Sequence, residues 1–251
     1  MIFRLNQKMF SSSLPLGLLF LTMISCGKTI EEVDEDAIGL QYFPITNGKS
    51  WTYASDSIVY TFGGAKIDTF RSFINEQIGD TVINSFGIKE YKVFRSLRKR
   101  TTDPWTRINT WTVSIENNNA IRNEENLKFV KLVFPIKKGL RWDGNTFIDK
   151  NLKIDVGGEL IEAYKNWKHT MEEIDIDYPY NNATVQAIKV KLVDETSIID
   201  QRKVTEYYGK DIGLLKKEMT ILDLDGNKPS DPIEKKIQKG FKHTLTLIEV
   251  K

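Results

Sequence analysis

Apolar and polar residues alternate along much of the chain. The pattern is clearest over residues 128–134 and 185–193, where an apolar side chain stands at every second position. These positions are Val130, Leu132, Phe134, Ile188, Val190 and Leu192. Alternation with a period of two is typical of strands with one buried and one solvated face, as in antiparallel sheets.

Short runs of glycine, asparagine and aspartate interrupt the alternation. They lie at residues 63–64, 79–80, 117–119, 143–145, 157–158, 181–182 and 225–227. These residue types tolerate the backbone angles of tight turns, and their spacing predicts a series of hairpins. We therefore predict a mostly β fold, a curved antiparallel meander that forms a half-barrel or a sandwich, with at most one or two short helices.

One segment carries the signals of a helix. Asp231 stands where a cap is expected, Pro232 suits the first turn, and Gly240 follows as a terminator. The sequence thus predicts a short helix here, followed by a last strand over residues 244–250.

The first 25 residues have the layout of a secretory signal peptide. Arg4 and Lys8 precede an apolar stretch over residues 14–24, and the small residue Ser25 ends the segment. The stretch is shorter than the roughly 20 residues that a helix needs to cross a bilayer. We predict that residues 1–25 are removed and that the chain has no transmembrane helix.

The residues around the predicted cleavage point resemble a bacterial lipobox. The tetrad is Met23-Ile24-Ser25-Cys26, and the chain has 1 cysteine in all. The resemblance implies that Cys26 is the lipid attachment site, alkylated by diacylglycerol, and that the protein's partner is a membrane bound through this anchor. The alternative is that Cys26 only ends an ordinary signal.

Residues 26–40 are predicted to be a flexible acidic tether, and residues 41–251 a single β-rich body. Lys28 and the acidic residues after it resemble a signal with which Bacteroidetes display lipoproteins on the cell surface. The alternative is that any tether is polar. We expect a cell-envelope location, lipid-anchored at the outer membrane, on either its periplasmic or its outer face.

The charge balance excludes a general polyanion-binding surface. The chain has 36 Lys and Arg against 34 Asp and Glu, and the predicted signal takes away Arg4 and Lys8. The remaining chain therefore has equal numbers of positive and negative side chains and lacks the excess of positive charge that is typical of nucleic-acid-binding proteins. The one dense basic cluster is interpreted as a solvated strand end or loop, with a polyanion site as the alternative. Its members are Arg95, Arg98, Lys99 and Arg100.

Two groups of residues resemble a broad set of uncharacterised Bacteroidetes cell-envelope lipoproteins. The first comprises Tyr42-Phe43-Pro44-Ile45, Gly48, Trp51 and Tyr53. The second comprises Glu206-Tyr207-Tyr208, Gly209, Ile212-Gly213-Leu214-Leu215-Lys216 and Glu218. The resemblance covers most of residues 40–250 and implies an envelope location and a β fold, but no activity. Trp51 and Tyr53 share one face of the first strand and are predicted to be core residues, with an exposed aromatic platform as the alternative.

No residues have the spacing of a metal site. His169 and His243 lie far apart and lack a second His or Cys at ligand spacing, so they are interpreted as exposed or edge residues. Residues 223–227 are similar to a calcium loop, but Gly226 is fourth in the run where an EF-hand loop needs glycine sixth. A hairpin turn is the better interpretation. We expect no metal and no cofactor.

The best catalytic candidates are three acids that alternate along one predicted strand, Glu173, Asp175 and Asp177. Glycosidases use a pair of acids as catalytic residues. Acids that alternate along a strand are, however, more typical of its solvated face. We expect no enzymatic activity. Asp56-Ser57-Ile58 and Asp80-Thr81-Val82 match a short pattern for O-glycosylation of exported Bacteroidetes proteins, which makes Ser57 and Thr81 candidate acceptors.

Three functions remain open at this point. The first is a non-catalytic binding or assembly module of unknown ligand, which could be a glycan, a lipid or an envelope protein. The second is a carrier of lipids or lipoproteins, which requires an apolar cavity of several hundred Å³. The third is a glycan-acting enzyme, which requires two facing carboxylates in a cleft.

Overall fold

The computed structural model describes residues 35–251, which consist mainly of strands. Helix α1 spans Glu35–Ile38, a 3-10 turn spans Leu40–Tyr42, and helix α2 spans Ile233–Lys236. No helix in this range has the length and apolar character to cross a membrane. The strands are β1 (Ser50–Thr61), β2 (Lys66–Ile83), β3 (Lys89–Arg98), β4 (Thr106–Glu116), β5 (Asn119–Glu124), β6 (Leu127–Val133), β7 (Arg141–Trp142), β8 (Ile154–Val156), β9 (Glu159–Ile161), β10 (His169–Tyr180), β11 (Ala183–Thr196), β12 (Asp200–Gly209), β13 (Gly213–Leu224) and β14 (Ile237–Val250).

All strands except β8 and β9 form one antiparallel sheet, in the order β6-β5-β4-β3-β2-β1-β14-β13-β12-β11-β10-β7. Strands β8 and β9 form a separate hairpin. The first and last strands, β1 and β14, pair in the middle of the sheet, with Trp51 opposite Val250 and Tyr60 opposite Gly240. One arm then runs from β2 to β6, and the other runs from β13 to β10 and ends at β7.

The two edges of the sheet approach each other. In β6, the backbone N–H of Val130 donates to the carbonyl of Gly144, two residues after β7, at 2.9 Å. In β7, Trp142 Nε1 donates to the carbonyl of Val130, also at 2.9 Å. The sheet is therefore nearly closed and has an inside and an outside. The predicted fold class, a mostly β curved antiparallel meander with short helices, is confirmed.

Most of the turn signals fall between strands, as predicted. Residues 117–118 and 181–182 connect neighbouring strands with positive φ angles between 48° and 63°. Residues 79–80 are an exception, because they lie inside β2, where its register with β3 shifts. A Cβ on Gly79 would stand 2.3 Å from the Phe94 ring. Glycine thus serves close packing there rather than chain reversal.

The predicted length of the helix after Asp231 is wrong. Helix α2 has only 4 residues, and β14 begins at Ile237, so Gly240 lies within a strand. A Cβ on Gly240 would be 2.1 Å from the carbonyl oxygen of Ile221 in β13. Pairing with strands on both sides outweighs a helix signal that is too short to be stable alone. The last strand is accordingly longer than the predicted 244–250.

The folded body begins before residue 41. The N–H of Ile136 donates to the carbonyl of Ile38 at 3.0 Å, and Leu40 packs against the buried core. Residues 35–40, which the sequence assigns to the tether, are therefore held on the body. The remainder of the predicted tether, the predicted signal and Cys26 lie outside the described residues.

The alternation in β11 has the predicted result, whereas β6 differs. Between the buried apolar residues of β11, Lys189 and Lys191 stand outside and pair with Glu172. In β6, the predicted apolar face is buried, but Phe129 and Lys131 on the other face are buried as well. Both faces of β6 are covered. Residues 140–168 pack against this edge strand on one side, and its other face borders the interior of the sheet.

The inside of the sheet has two regions. Beside β10–β13 lies an apolar core, against which Ile161 and Trp167 of the long segment after β6 also pack. Its fully buried side chains include Met171, Ile188, Val190, Leu192, Val204 and Ile221. Beside β1–β4 and β14 lies a second group of buried side chains, among them Trp51, Tyr53, Ile74, Val93 and Leu245. This second region borders a cavity.

Candidate ligand-binding cavity

The cavity has a volume of about 170 Å³. Its lining comes from β1–β6 and from β12–β14, together with Phe43, Pro44 and Ile45. Because these strands belong to both arms of the sheet, the cavity lies inside it. Seven charged side chains line this space: Glu76, Arg95, Arg122, Glu124, Lys131, Glu206 and Lys217.

One ionic network is centred on Glu76. Arg95 Nε and Arg122 Nη2 donate to Glu76 Oε1 at 2.8 and 2.6 Å, and Arg122 Nε lies 2.9 Å from Glu124 Oε1. Burial alone would raise the pKa of Glu76, but the two guanidinium groups outweigh burial and hold the pKa below its ordinary value. Both guanidinium groups also lie on Trp111, at 3.6 and 4.8 Å from the ring centroid.

A second network is centred on Glu206, whose side chain is 1% exposed. Its Oε1 accepts from Lys131 Nζ at 2.6 Å and lies 3.4 Å from Lys217 Nζ. Its Oε2 accepts from the Tyr208 hydroxyl at 2.6 Å. Burial opposes ionisation of Glu206, yet the two ammonium groups lower its pKa to about 2. One carboxylate thus pairs with the buried Lys131 and the partly buried Lys217, which come from opposite arms of the sheet.

The lining carries a surplus positive charge. It contains four cationic side chains against three carboxylates, which leaves a net charge of +1. The surplus lies in the network of Glu206. The charges of Arg95 and Arg122 are balanced by those of Glu76 and Glu124, whereas Lys131 and Lys217 have one carboxylate between them. A surplus charge away from bulk water is unfavourable unless a ligand, an ion or water compensates it.

Both histidines were predicted to be exposed or edge residues, and this is wrong. His169 is buried, and its Nδ1 accepts from the Gly144 N–H at 3.2 Å. His243 lines the cavity and is hydrogen-bonded through Nε2 to Ser55 Oγ at 3.1 Å. Burial, followed by nearby cations, lowers the pKa of His169 to about 3 and that of His243 to about 4. Both imidazoles are therefore neutral at pH 7.

Residues 35–251 contain no group of three or more His, Cys, Asp or Glu side chains that could hold a metal ion. In the loop after β13, Asp225 Oδ1 accepts from the Asn227 N–H at 3.0 Å, while Asp223 accepts from Arg202 at 2.6 Å. These bonds belong to the end of β13 and to a turn that begins the longer connection through α2 to β14.

The three alternating acids of β10 do not form a catalytic pair. Glu173 binds Lys189 at 3.2 Å, Asp177 accepts from Gln186, and Asp175 is exposed. A glycosidase needs one carboxylic acid whose pKa is raised, so that it can donate a proton. The buried Glu76 and Glu206 have lowered pKa values instead.

The prediction that Trp51 and Tyr53 belong to the core is confirmed, since they are 7% and 2% exposed. Trp51 Nε1 donates to the carbonyl of Ile212 at 2.5 Å, and the Tyr53 hydroxyl donates to that of Leu214 at 3.1 Å. The opening segment, residues 42–53, and the closing segment, residues 206–218, thus contact each other. Together they close one side of the cavity.

The interpretation of the basic cluster as solvated is wrong for Arg95, which is an interior residue with Glu76 as its partner. Lys99 and Arg100 are exposed, as predicted. Arg98 lies 4.3 Å from the centroid of the Trp105 ring. Period-two geometry explains the difference, because Arg95 stands on the inward face of β3 together with Val93.

The candidate glycosylation sites differ in accessibility. Ser57 lies in the central strand β1 and is half-buried, whereas Thr81 lies in β2 and is exposed. An attached glycan needs an accessible hydroxyl, so Thr81 is the better placed of the two. Both assignments remain predictions.

No family model matches the chain, and no curated protein matches it. A crystal structure of a candidate lipoprotein from Parabacteroides distasonis aligns with 84% of this chain and 98% of its own, at 14% identity and a TM-score of 0.39. A crystal structure of a candidate exported protein with YmcC-like fold from Bacteroides fragilis aligns with 83% and 98%, at 12% identity and a TM-score of 0.40. Similarity at this level does not bear on function.

Proposed function

We propose that this protein is a cell-envelope lipoprotein, anchored at the outer membrane through Cys26, and that its body is a non-catalytic module which binds a small polar ligand in the interior cavity. The observation that supports the binding role is the set of seven charged side chains around one interior space. Buried ion pairs are on average no more stabilising than apolar packing of similar volume. Stability alone therefore does not account for them.

The size of the cavity favours a small ligand over an acyl chain, although apolar and aromatic side chains make up most of its lining beside the seven charged ones. Pockets for drug-sized ligands commonly measure about 300–1,000 Å³, whereas this cavity measures about 170 Å³. A lipid carrier would need a longer space than this one. The carrier hypothesis is therefore less well supported than the binding module.

A ligand screen tests the binding role. The full-length protein, purified in detergent with its anchor, is heated with neutral sugars, acidic sugars, inorganic anions and short-chain phospholipids in turn. We expect a raised melting temperature with at least one small polar solute, because a ligand that binds only the folded state stabilises it. A melting temperature that no small solute raises, or that phospholipids alone raise, would contradict the proposal.

A further inference from the structure

The cavity has more hydrogen-bond donors than acceptors around Glu206. An ammonium group carries three N–H donors, and Lys131 and Lys217 are both directed at the same oxygen, Glu206 Oε1. The other oxygen is occupied by Tyr208. Among the described residues, the 3.4 Å contact with Glu206 is the one ion pair of Lys217. Within residues 35–251, most of the six N–H donors of the two lysines therefore lack a carboxylate acceptor.

Lys217 keeps its charge despite this position. Burial lowers its pKa, but the carboxylates of Glu206 and Glu124 outweigh burial and raise the pKa above the ordinary value. With all seven groups ionised the lining carries a surplus of +1, while burial lowers the pKa of the other lysine, Lys131, below its ordinary value. A monoanion in the cavity would neutralise this surplus.

We infer that the cavity binds an oxyanion, a compact carboxylate, phosphate or sulfate group, and that the ammonium groups of Lys131 and Lys217 hold it. The inference rests on the proposed binding function and names its ligand class. Oxyanions supply several acceptor lone pairs in a small volume, which is what the unmatched N–H donors require. A cation would add to the surplus charge, and a neutral solute would leave it uncompensated.

Two sources can provide such a group, a free inorganic anion or the acidic group of a sugar. Inorganic phosphate and glucuronate are therefore titrated separately by calorimetry into the full-length protein in detergent, at pH 7 and constant ionic strength. Glucose serves as the uncharged counterpart of glucuronate. A heat of binding with phosphate alone would identify the ligand as a free anion, and one with glucuronate alone would identify it as an acidic sugar. Either result, or binding of both, supports the inference.

Strand β13 offers a matched pair of variants. Lys217→Met removes the ammonium group that lines the cavity, and Lys216→Met removes its neighbour on the outer face, which pairs with Glu218 at 2.8 Å. We expect Lys217→Met to weaken anion binding roughly ten-fold or more, and Lys216→Met to leave it unchanged. Lys217→Met retains the Lys131–Glu206 pair, so it is expected to fold. Lys217→Arg keeps the charge and should retain most of the affinity.

Three outcomes would overturn the inference. They are the absence of binding of both phosphate and glucuronate, equal binding by the wild type and Lys217→Met, and a glucose affinity equal to that of glucuronate. If the screen nevertheless finds a neutral ligand, the binding function stands and only the anion assignment fails. If no solute of any class binds, both fail.

Discussion

The two interior regions of the sheet are built on the same strand geometry but filled with opposite chemistry. In the apolar core, Ile188, Val190 and Leu192 occupy successive inward positions of β11 and are fully buried. In the cavity, the inward positions of neighbouring strands hold Glu206 and Lys217. The core is filled by apolar packing, whereas the cavity holds ion pairs and one cation in surplus. The inward face of a strand therefore fixes where a side chain points, but not whether its neighbours there are apolar or charged.

The first prediction tests whether the ion pairs of the cavity are as essential as the packing of the core. Glu206→Gln removes the buried carboxylate that pairs with Lys131 and Lys217, and we expect it to lower the free energy of unfolding by about 3–5 kcal/mol. Urea denaturation measures the change. Glu218→Gln, on the outer face of β13 with a side chain 45% exposed, is the control and should change stability by less than about 0.5 kcal/mol. Equal stability of both variants would contradict the prediction.

The second prediction concerns the apolar core. Ile188→Ala leaves a hole among fully buried neighbours and should lower the free energy of unfolding by about 2–5 kcal/mol, without affecting ligand binding in the cavity. The adjacent Lys189→Ala removes only outward ion pairs and should lower it by less than about 1 kcal/mol. If the two variants were equally stable in urea denaturation, the assignment of faces in β11 would be wrong.

The third prediction compares the two histidines, one in each region. In the unfolded chain, histidine binds a proton below about pH 6.5, whereas His169 and His243 in the folded protein have pKa values of about 3 and about 4. Stability is therefore full above pH 6.5 and falls as the pH drops towards those values. Each histidine contributes a slope of up to about 1.4 kcal/mol per pH unit.

Urea denaturation at pH 7, 6 and 5 measures this slope. His169→Gln and His243→Gln should each remove about half of it, because each takes away one proton of the difference. A free energy of unfolding that is constant from pH 7 to pH 5 would show that neither histidine is kept neutral by the fold.

The smallest expected effect on stability comes from the anchor. Cys26→Ser should leave the melting temperature of the body unchanged, because the substitution changes no residue of either interior region. The same variant should lose lipid labelling and membrane retention, as measured by sedimentation with membranes. Wild-type protein, fractionated in parallel, is the control. Continued sedimentation of the variant would contradict the lipid assignment of Cys26.

The sequence predicts the sheet better than the cavity. Alternation in β11 and the asparagine turns identify strands and hairpins, because both depend on local backbone geometry. The cavity depends on pairing between distant segments, such as Lys131 with Glu206. Where polar and apolar residues are mixed along a strand, the sequence does not distinguish a charged residue on the inward face from one on the outward face. For this reason the sequence predicts a solvated Arg95. Nothing local to β3 reveals that Glu76 lies opposite it.

The pairing of β1 with β14 sets a condition on how the protein reaches its folded state. Trp51 is paired with Val250, so these contacts join residues at opposite ends of the body. Hairpins within each arm are local and form early, but contacts of such large sequence separation slow folding. Until residues 237–250 have been synthesised, β1 has one edge unpaired and the cavity lacks the wall that His243 and Leu245 provide. A ligand that needs this wall can therefore stabilise only a chain that has been completed.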